Sequence, residues 1–313
     1  MTILHDIKYN TLEIINTILS PIDRLFLAGD IPKGEKTRPI FIIGPPRSGT
    51  TLLYQLLVKN FQLSYINNFI GNFYKVPVLA SKINNLLKLD AENIGYQSKH
   101  GNTEGLNGPN EFGNFWYRWF PRDPQFVHKN NLNKNDKNSI RKNIYNLQKI
   151  LGKNIVFKNV VNSVRVEVLL DIFPNCIFLI TRRNPLFTIQ SIYKMRKKLK
   201  KENSWWSVQP PGYNKIKDAK LIDQCIYQVY YLEKYLNNFL SGTKSSQFKV
   251  VNYESLCSET KRTLADINNF MKENGIINEF NKPDQNLSNR NTQYLDDSIF
   301  NIINNRVNEL WKT

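Results

Sequence analysis

The chain has 313 residues, 41% hydrophobic and 12% aromatic, long enough for one sizeable α/β core or two small ones and globular in composition, which excludes a disordered protein; one main domain is expected. Its 43 Lys and Arg against 26 Asp and Glu give a formal charge of +17, for which attraction to anionic partners and a compositional bias toward Lys and Asn both account. The three cysteines, Cys176, Cys225 and Cys257, are far apart and odd in number, so neither a disulfide framework nor a zinc site is indicated and a reducing, cytoplasmic setting is expected.

Residues 3–27 carry apolar side chains near helical spacing (Ile7, Leu12, Ile15, Ile18, Leu19, Ile22), with Pro21 expected to open a second short helix. Asp6, Lys8, Glu13, Asp23 and Arg24 nearly cancel, which fits a packing helix better than a membrane-surface helix with its basic polar face. Residues 1–37 are accordingly expected to be a helical extension packed on a main domain of residues 38–313. No apolar run approaches the ~18 residues of a spanning helix, and no basic start followed by an apolar block marks export.

Next comes "IFIIGPPRSGTTLLYQLL", residues 40–57: a buried strand, a turn bracketed by Gly44 and Gly49, and a helix. The glycines permit conformations and close approaches that a Cβ would obstruct, and Ser48, Gly49, Thr50 and Thr51 offer N–H groups at the helix start, a cradle for phosphate. The spacing is that of a P-loop, yet Thr50 stands where a nucleoside-triphosphate site has lysine, so Arg47 is the nearest fixed positive charge. Residues 130–143 read as a polar loop leading into a helix. Strand 154–158, helix 164–172, strand 176–180, helix 186–198, helix 221–240, strand 248–253 and helix 261–272 follow. Alternation of this kind predicts an α/β, three-layer, P-loop-like fold with a central parallel sheet flanked by helices.

"PPRSGTT" (45–51) resembles the 5′-phosphosulfate loop of the sulfotransferases, enzymes that use 3′-phosphoadenosine 5′-phosphosulfate (PAPS) as co-substrate and release PAP. "CIFLITRRNPLFTIQSIYKMR" (176–196) is similar to the family's 3′-phosphate motif, with Arg183, Pro185 and Ser191 in register. "VVNYESLCSETKRTLADINNFM" (250–271) resembles its strand, Tyr-Glu dipeptide and helix, which implies that Tyr253 lies near the adenine. Two features depart from the pattern: Leu52 stands where cytosolic members have tryptophan, and in place of a glycine-rich C-terminal segment there is "NLSNRNTQYL", whose Ser288 or Arg290 would complete the 3′-phosphate site.

The resemblance implies transfer of a sulfuryl group to an acceptor hydroxyl, of a carbohydrate or glycolipid, without a metal. Nucleic acid is not an expected partner, and peripheral membrane association stays open. Arg47, Ser48, Gly49, Thr50, Thr51, Arg183, Ser191 and Tyr253 are the candidate contacts to PAPS. Lys158, at the C-terminal end of its strand, is a further catalytic candidate beside Arg47. For the base, the glycine-rich segment 100–121 offers His100, Glu104 and Glu111; Glu111 looks most like the glutamate of glycan-modifying members, and His100 is the rival, as in small-molecule members. Phe115, Trp116, Tyr117, Trp119 and Phe120 read as core, Trp205 and Trp206 as either lid or packing, and His5 and His128 have no chemical context. The alternatives are a P-loop kinase, disfavoured by Thr50 and by a strand "IFLIT" that ends without aspartate, and a non-catalytic binder of nucleotide or anionic glycan.

Overall fold

The computed structural model describes residues 2–27, 29–32, 34–89, 98–99, 102–242, 244–281, 283 and 287–312, with the backbone alone at 2–9, 98–99 and 102. In chain order the elements are α1 (Thr2–Phe26), β1 (Ile40–Ile43), α2 (Thr50–Asn60), β2 (Ser64–Tyr65), α3 (Asn68–Asn72), α4 (Pro77–Leu86), β3 (Ser98–Lys99), β4 (Asn102–Thr103) and α5 (Gly113–Trp116). They continue with α6 (Lys134–Leu151), β5 (Ile155–Lys158), α7 (Val166–Ile172), β6 (Ile177–Arg182), α8 (Pro185–Lys198), α9 (Leu221–Leu240), β7 (Phe248–Asn252), α10 (Tyr253–Ser258), α11 (Thr260–Glu273) and α12 (Asp297–Leu310).

Five strands form a parallel sheet in the order β2-β5-β1-β6-β7, and β3 and β4 pair separately as an antiparallel ribbon. Each central strand is buried on both faces, so it reads as an unbroken apolar run. The period of two then sorts its side chains. Phe41, Ile43, Phe157, Phe178 and Ile180 join one core with Trp116, Ile144, Leu169 and Leu232. Ile40, Ile42, Val156, Ile177 and Leu179 join another with Leu53, Leu57, Leu264 and Met271. Helices thus cover both faces, the three-layer α/β architecture that the sequence predicts. Each such aliphatic or aromatic burial contributes roughly 1.5–3 kcal/mol.

Register places the functional edge. Ile42 pairs with Lys158 on one side of β1, and Ile43 pairs with Ile180 on the other, so the loop leaving β1 emerges between the C-terminal ends of β5 and β6. The chain then departs to the far edge at β2, while β6 and β7 extend the opposite side; ligands of open α/β sheets bind at such a point.

Three local readings differ from the structure. Helix α1 runs unbroken through Pro21, which is exposed, so solvent is available to the Thr17 carbonyl that proline deprives of a donor. Helix α6 takes up most of 130–143 from Lys134 onward, because the Asn133 side chain accepts from Asp136 N–H and caps it. Tyr253 opens α10 instead of ending β7.

Candidate active site at the C-terminal edge of the sheet

The loop after β1 is held from below by hydroxyls. Gly44 N–H donates to Ser163 Oγ at 2.9 Å, and that hydroxyl donates back to Gly44 O at 3.2 Å. Ser48 Oγ donates to Pro45 O at 2.7 Å and lies 2.6 Å from Thr181 Oγ1. The Ser48 hydroxyl is therefore committed to the loop's own geometry, its N–H donates to Pro45 O at 3.3 Å, and the residue is buried beneath the cleft lining. A Cβ on Gly44 would sit 2.6 Å from Thr181 O, and one on Gly49 would sit 2.7 Å from Tyr253 Cδ2. Gly49 is the N-cap of α2 at φ 97, with no side chain capping the helix, which leaves its first-turn N–H groups for a ligand. Arg47 itself takes a left-handed φ of 70, a strained choice for a side-chain-bearing residue.

Above the loop lies a cleft of about 470 Å³ whose charged lining residues are Arg47, Arg183, Arg290, Lys158 and Glu111. Four cations face one carboxylate, so the cleft selects anions. Burial, reinforced by the repulsion of Arg183 and Arg290, lowers the pKa of Arg47. Its Nε donates to Ser191 Oγ at 3.0 Å, so the two motifs meet although they lie far apart in sequence. Thr50, Thr51 and Tyr253 also line the cleft, whereas Ser191 reaches it through Arg47.

Arg183 uses its fork on the protein. Nε donates to Asn291 Oδ1 at 2.8 Å, and the terminal nitrogens donate to Arg47 O at 3.2 Å and Arg290 O at 2.9 Å. Its guanidinium stacks 4.7 Å over the Tyr253 ring, and the Tyr253 hydroxyl accepts from Arg290 N–H at 3.1 Å. Burial raises the Tyr253 phenol above its usual pKa. Glu254 Oε1 accepts from both Asn184 N–H and Asn291 Nδ2, and buried Gln190 accepts from Tyr294 and Leu295 N–H while donating to Thr292 O. Segment 288–295 is thus tied to α8 and α10, and it brings Ser288 and Arg290 to the cleft.

On the same lining, buried Lys158 closes β5 and donates its ammonium to Glu111 Oε1. Glu111 lies just before α5, which has no acidic residue in its first turn. Its carbonyl accepts from Asn159 Nδ2 at 3.3 Å, while Asn110 Oδ1 accepts from Phe112 N–H at 2.7 Å and pins the turn. Glu104 is exposed and away from the cleft lining, and His100 lies outside the described residues. His128 pairs with Glu167 at 3.3 Å and caps a short turn, a structural task.

Phe115, Trp116 and Phe120 are core, as expected; Tyr117 and Trp119 are partly exposed beneath the guanidiniums of Arg122 and Arg118. Of the tryptophan pair, Trp206 lines the cleft with Ser207, and Trp205 packs edge-on against Tyr213. Sequence reasoning missed Ser163, Thr181, Gln190 and Asn291. Only Glu254, within the Tyr-Glu dipeptide, carried a signal. Among the described residues no group of three or more His, Cys, Asp or Glu is placed to hold a metal.

The fold and cleft together define an α/β protein with an anion-cradling loop at a sheet edge. The Sulfotransferase family profile matches residues 39–274, most of the chain, and the protein belongs to that family of enzymes. Among curated proteins, none matches. Similar solved structures include the sulfotransferase STF9 from Mycobacterium avium, 15% identical, with 88% of this chain and 69% of that one covered at a TM-score of 0.49. Another is STF1 from Mycobacterium tuberculosis H37Rv, 17% identical, covering 87% and 72% at 0.48. A third is the sulfotransferase domain from the curacin biosynthetic pathway, 15% identical, covering 87% and 98% at 0.45.

Proposed function

We propose that the enzyme transfers the sulfuryl group of PAPS to an acceptor hydroxyl, of a carbohydrate or glycolipid, and releases PAP. One observation carries the reading: Arg47, Arg183, Arg290 and the first turn of α2 line one cleft together with Glu111 and Lys158. The loop can take its shape only with glycines, whose Cβ atoms would strike Thr181 and Tyr253, and the charge of the cleft matches a ligand with two phosphate-bearing ends. Residues 38–313 form the sulfotransferase domain in this reading, with 1–37 as its helical extension. Three free, buried cysteines support a reducing, cytoplasmic setting.

Chain residues then have distinct tasks. Arg47 and the N–H groups of Thr50 and Thr51 bind the 5′-phosphate oxygens and take up the negative charge that grows on them as the S–O bond to phosphate breaks. Arg183, with Ser191 behind Arg47 and Arg290 on the facing segment, holds the 3′-phosphate, and Tyr253 flanks the adenine. The Glu111 carboxylate accepts the proton from the acceptor hydroxyl as its oxygen bonds to sulfur, and Lys158 orients that carboxylate. Trp206 offers a face for the acceptor.

Incubation with PAPS and a panel of glycan and glycolipid alcohols, with PAP release followed by chromatography, tests the proposal. Acceptor-dependent release that Glu111→Gln lowers by about 10²–10⁴-fold supports it. Tight PAP binding with no release across the panel would instead favour a non-catalytic binder.

A further inference from the structure

We infer that the outward face of α1 and the adjoining end of α4 form a docking surface for an anionic lipid bilayer. Helix α1 departs from an ordinary amphipathic helix: Leu12, Ile15 and Leu19 are half-buried, and a second apolar stripe is left exposed. Its buried side chains are polar: Asn16 is 0% and Asp23 1% exposed, whereas Ile14 is 60%, Ile18 68%, Ile22 43% and Leu25 74% exposed. At 100° per residue these four fall on one stripe, opposite Asn16.

The polar side is occupied by specific bonds. Asn16 donates to Asn72 O at 2.9 Å and accepts from Lys75 N–H at 3.0 Å, and Asp23 Oδ1 accepts from Leu79 N–H at 2.8 Å. These bonds fix the rotation of the helix, so the stripe cannot turn inward. Lys82 Nζ lies 3.8 Å over the Phe26 ring at the seam with α4, and one turn further along α4 Leu86 and Leu87 are also exposed.

Charge selects the occupant. From Asn10 to Phe26, and along α4, the described carboxylates are Glu13, held by Lys75, and buried Asp23. Arg24, Lys82 and Lys88 are exposed beside the stripe. A second copy of the chain would bring another +17 against the same basic face, whereas an anionic bilayer satisfies both the apolar stripe and the cations. No helix of the described residues is long and apolar enough to cross a membrane, so the contact is peripheral.

Co-sedimentation of the full chain with vesicles of phosphatidylcholine, alone or mixed with phosphatidylglycerol, tests this. The wild type should partition to the mixed vesicles, and Ile18→Glu with Leu25→Glu should weaken partitioning by at least about tenfold, given the aliphatic area withdrawn. The melting temperature should hold, because both side chains are exposed. Should the double variant not fold, hydrogen exchange of the wild type decides: vesicles must protect residues 14–25. Absent binding, binding indifferent to the double substitution, or a dimer of the wild type that the substitution dissolves would each overturn the inference.

Discussion

At the scale of single residues, the Lys158–Glu111 pair offers a test of how a buried charge is balanced in the cleft. Lys158 is buried and Glu111 is its carboxylate partner, so Glu111→Gln leaves an ammonium without its counter-charge. The pair is part-exposed on the glutamate side, so the expected loss is about 1–3 kcal/mol of unfolding free energy. Lys158→Met added to Glu111→Gln should recover most of it in urea denaturation, while leaving transfer activity as low as in Glu111→Gln alone. Arg183 separates two roles. Arg183→Ala should weaken PAP binding by about 1.5–3 kcal/mol, and Arg183→Lys should restore little of it, because lysine keeps the charge but not the fork that spans Asn291, Arg47 and Arg290. Titration calorimetry reads both. The residues of this site were legible where they sat in consecutive motifs, as with Arg47, Thr50 and Arg183. Gln190 and Asn291 were not, since their partners lie on the C-terminal segment or across it, and nothing local marks a glutamine that will bond three distant backbone groups.

Among elements, the β1–α2 turn makes the sharpest demand on sequence. Gly44→Ala would force a Cβ against the Thr181 carbonyl, so it should cost roughly 2–4 kcal/mol, more than Gly152→Ala, where the left-handed φ of 78 costs about 1–2 kcal/mol and nothing lies within 4 Å. Thermal denaturation of the two variants side by side checks the order. The parallel strands were legible because burial on both faces leaves an unbroken apolar run, and helices such as Leu221–Leu240 because their stripe is regular. Pro21 misled: a proline usually breaks or kinks a helix through its missing donor and its ring, yet α1 continues through it with Thr17 and Pro21 both exposed. The two-residue strand β2 and helix α12 escaped notice: one is too short to show a period, and the other buries only Ile303.

For the whole molecule, the docking of α1 should make stability depend on pH. Burial raises the Asp23 pKa to about 6, against roughly 3.9 in an unfolded chain. Between these values the folded state binds more protons than the unfolded one, so this group's contribution to stability is greatest below about pH 4, falls as pH rises, and is flat above about pH 6. Asp23→Asn should therefore be the more stable protein at pH 7, by about 1–3 kcal/mol, with the gap closing toward pH 4 in parallel melting curves. Neither the burial of Asn16 and Asp23 nor this titration could be read from the sequence, where both look like the solvent side of a packing helix. The +17 charge was visible at once but acquires direction only when Arg47, Arg183, Arg290 and Lys158 are found around one cleft.

That convergence is best tested by thermal-shift titration with PAP, using ADP and ATP with magnesium as controls. A ligand at about 100 times its Kd adds roughly 2.7 kcal/mol of stability. The account predicts stabilisation by PAP well beyond ADP, and its loss in Arg183→Ala. Preference for ATP with magnesium, or no response to any of the three, would contradict the assignment of the cleft to PAPS.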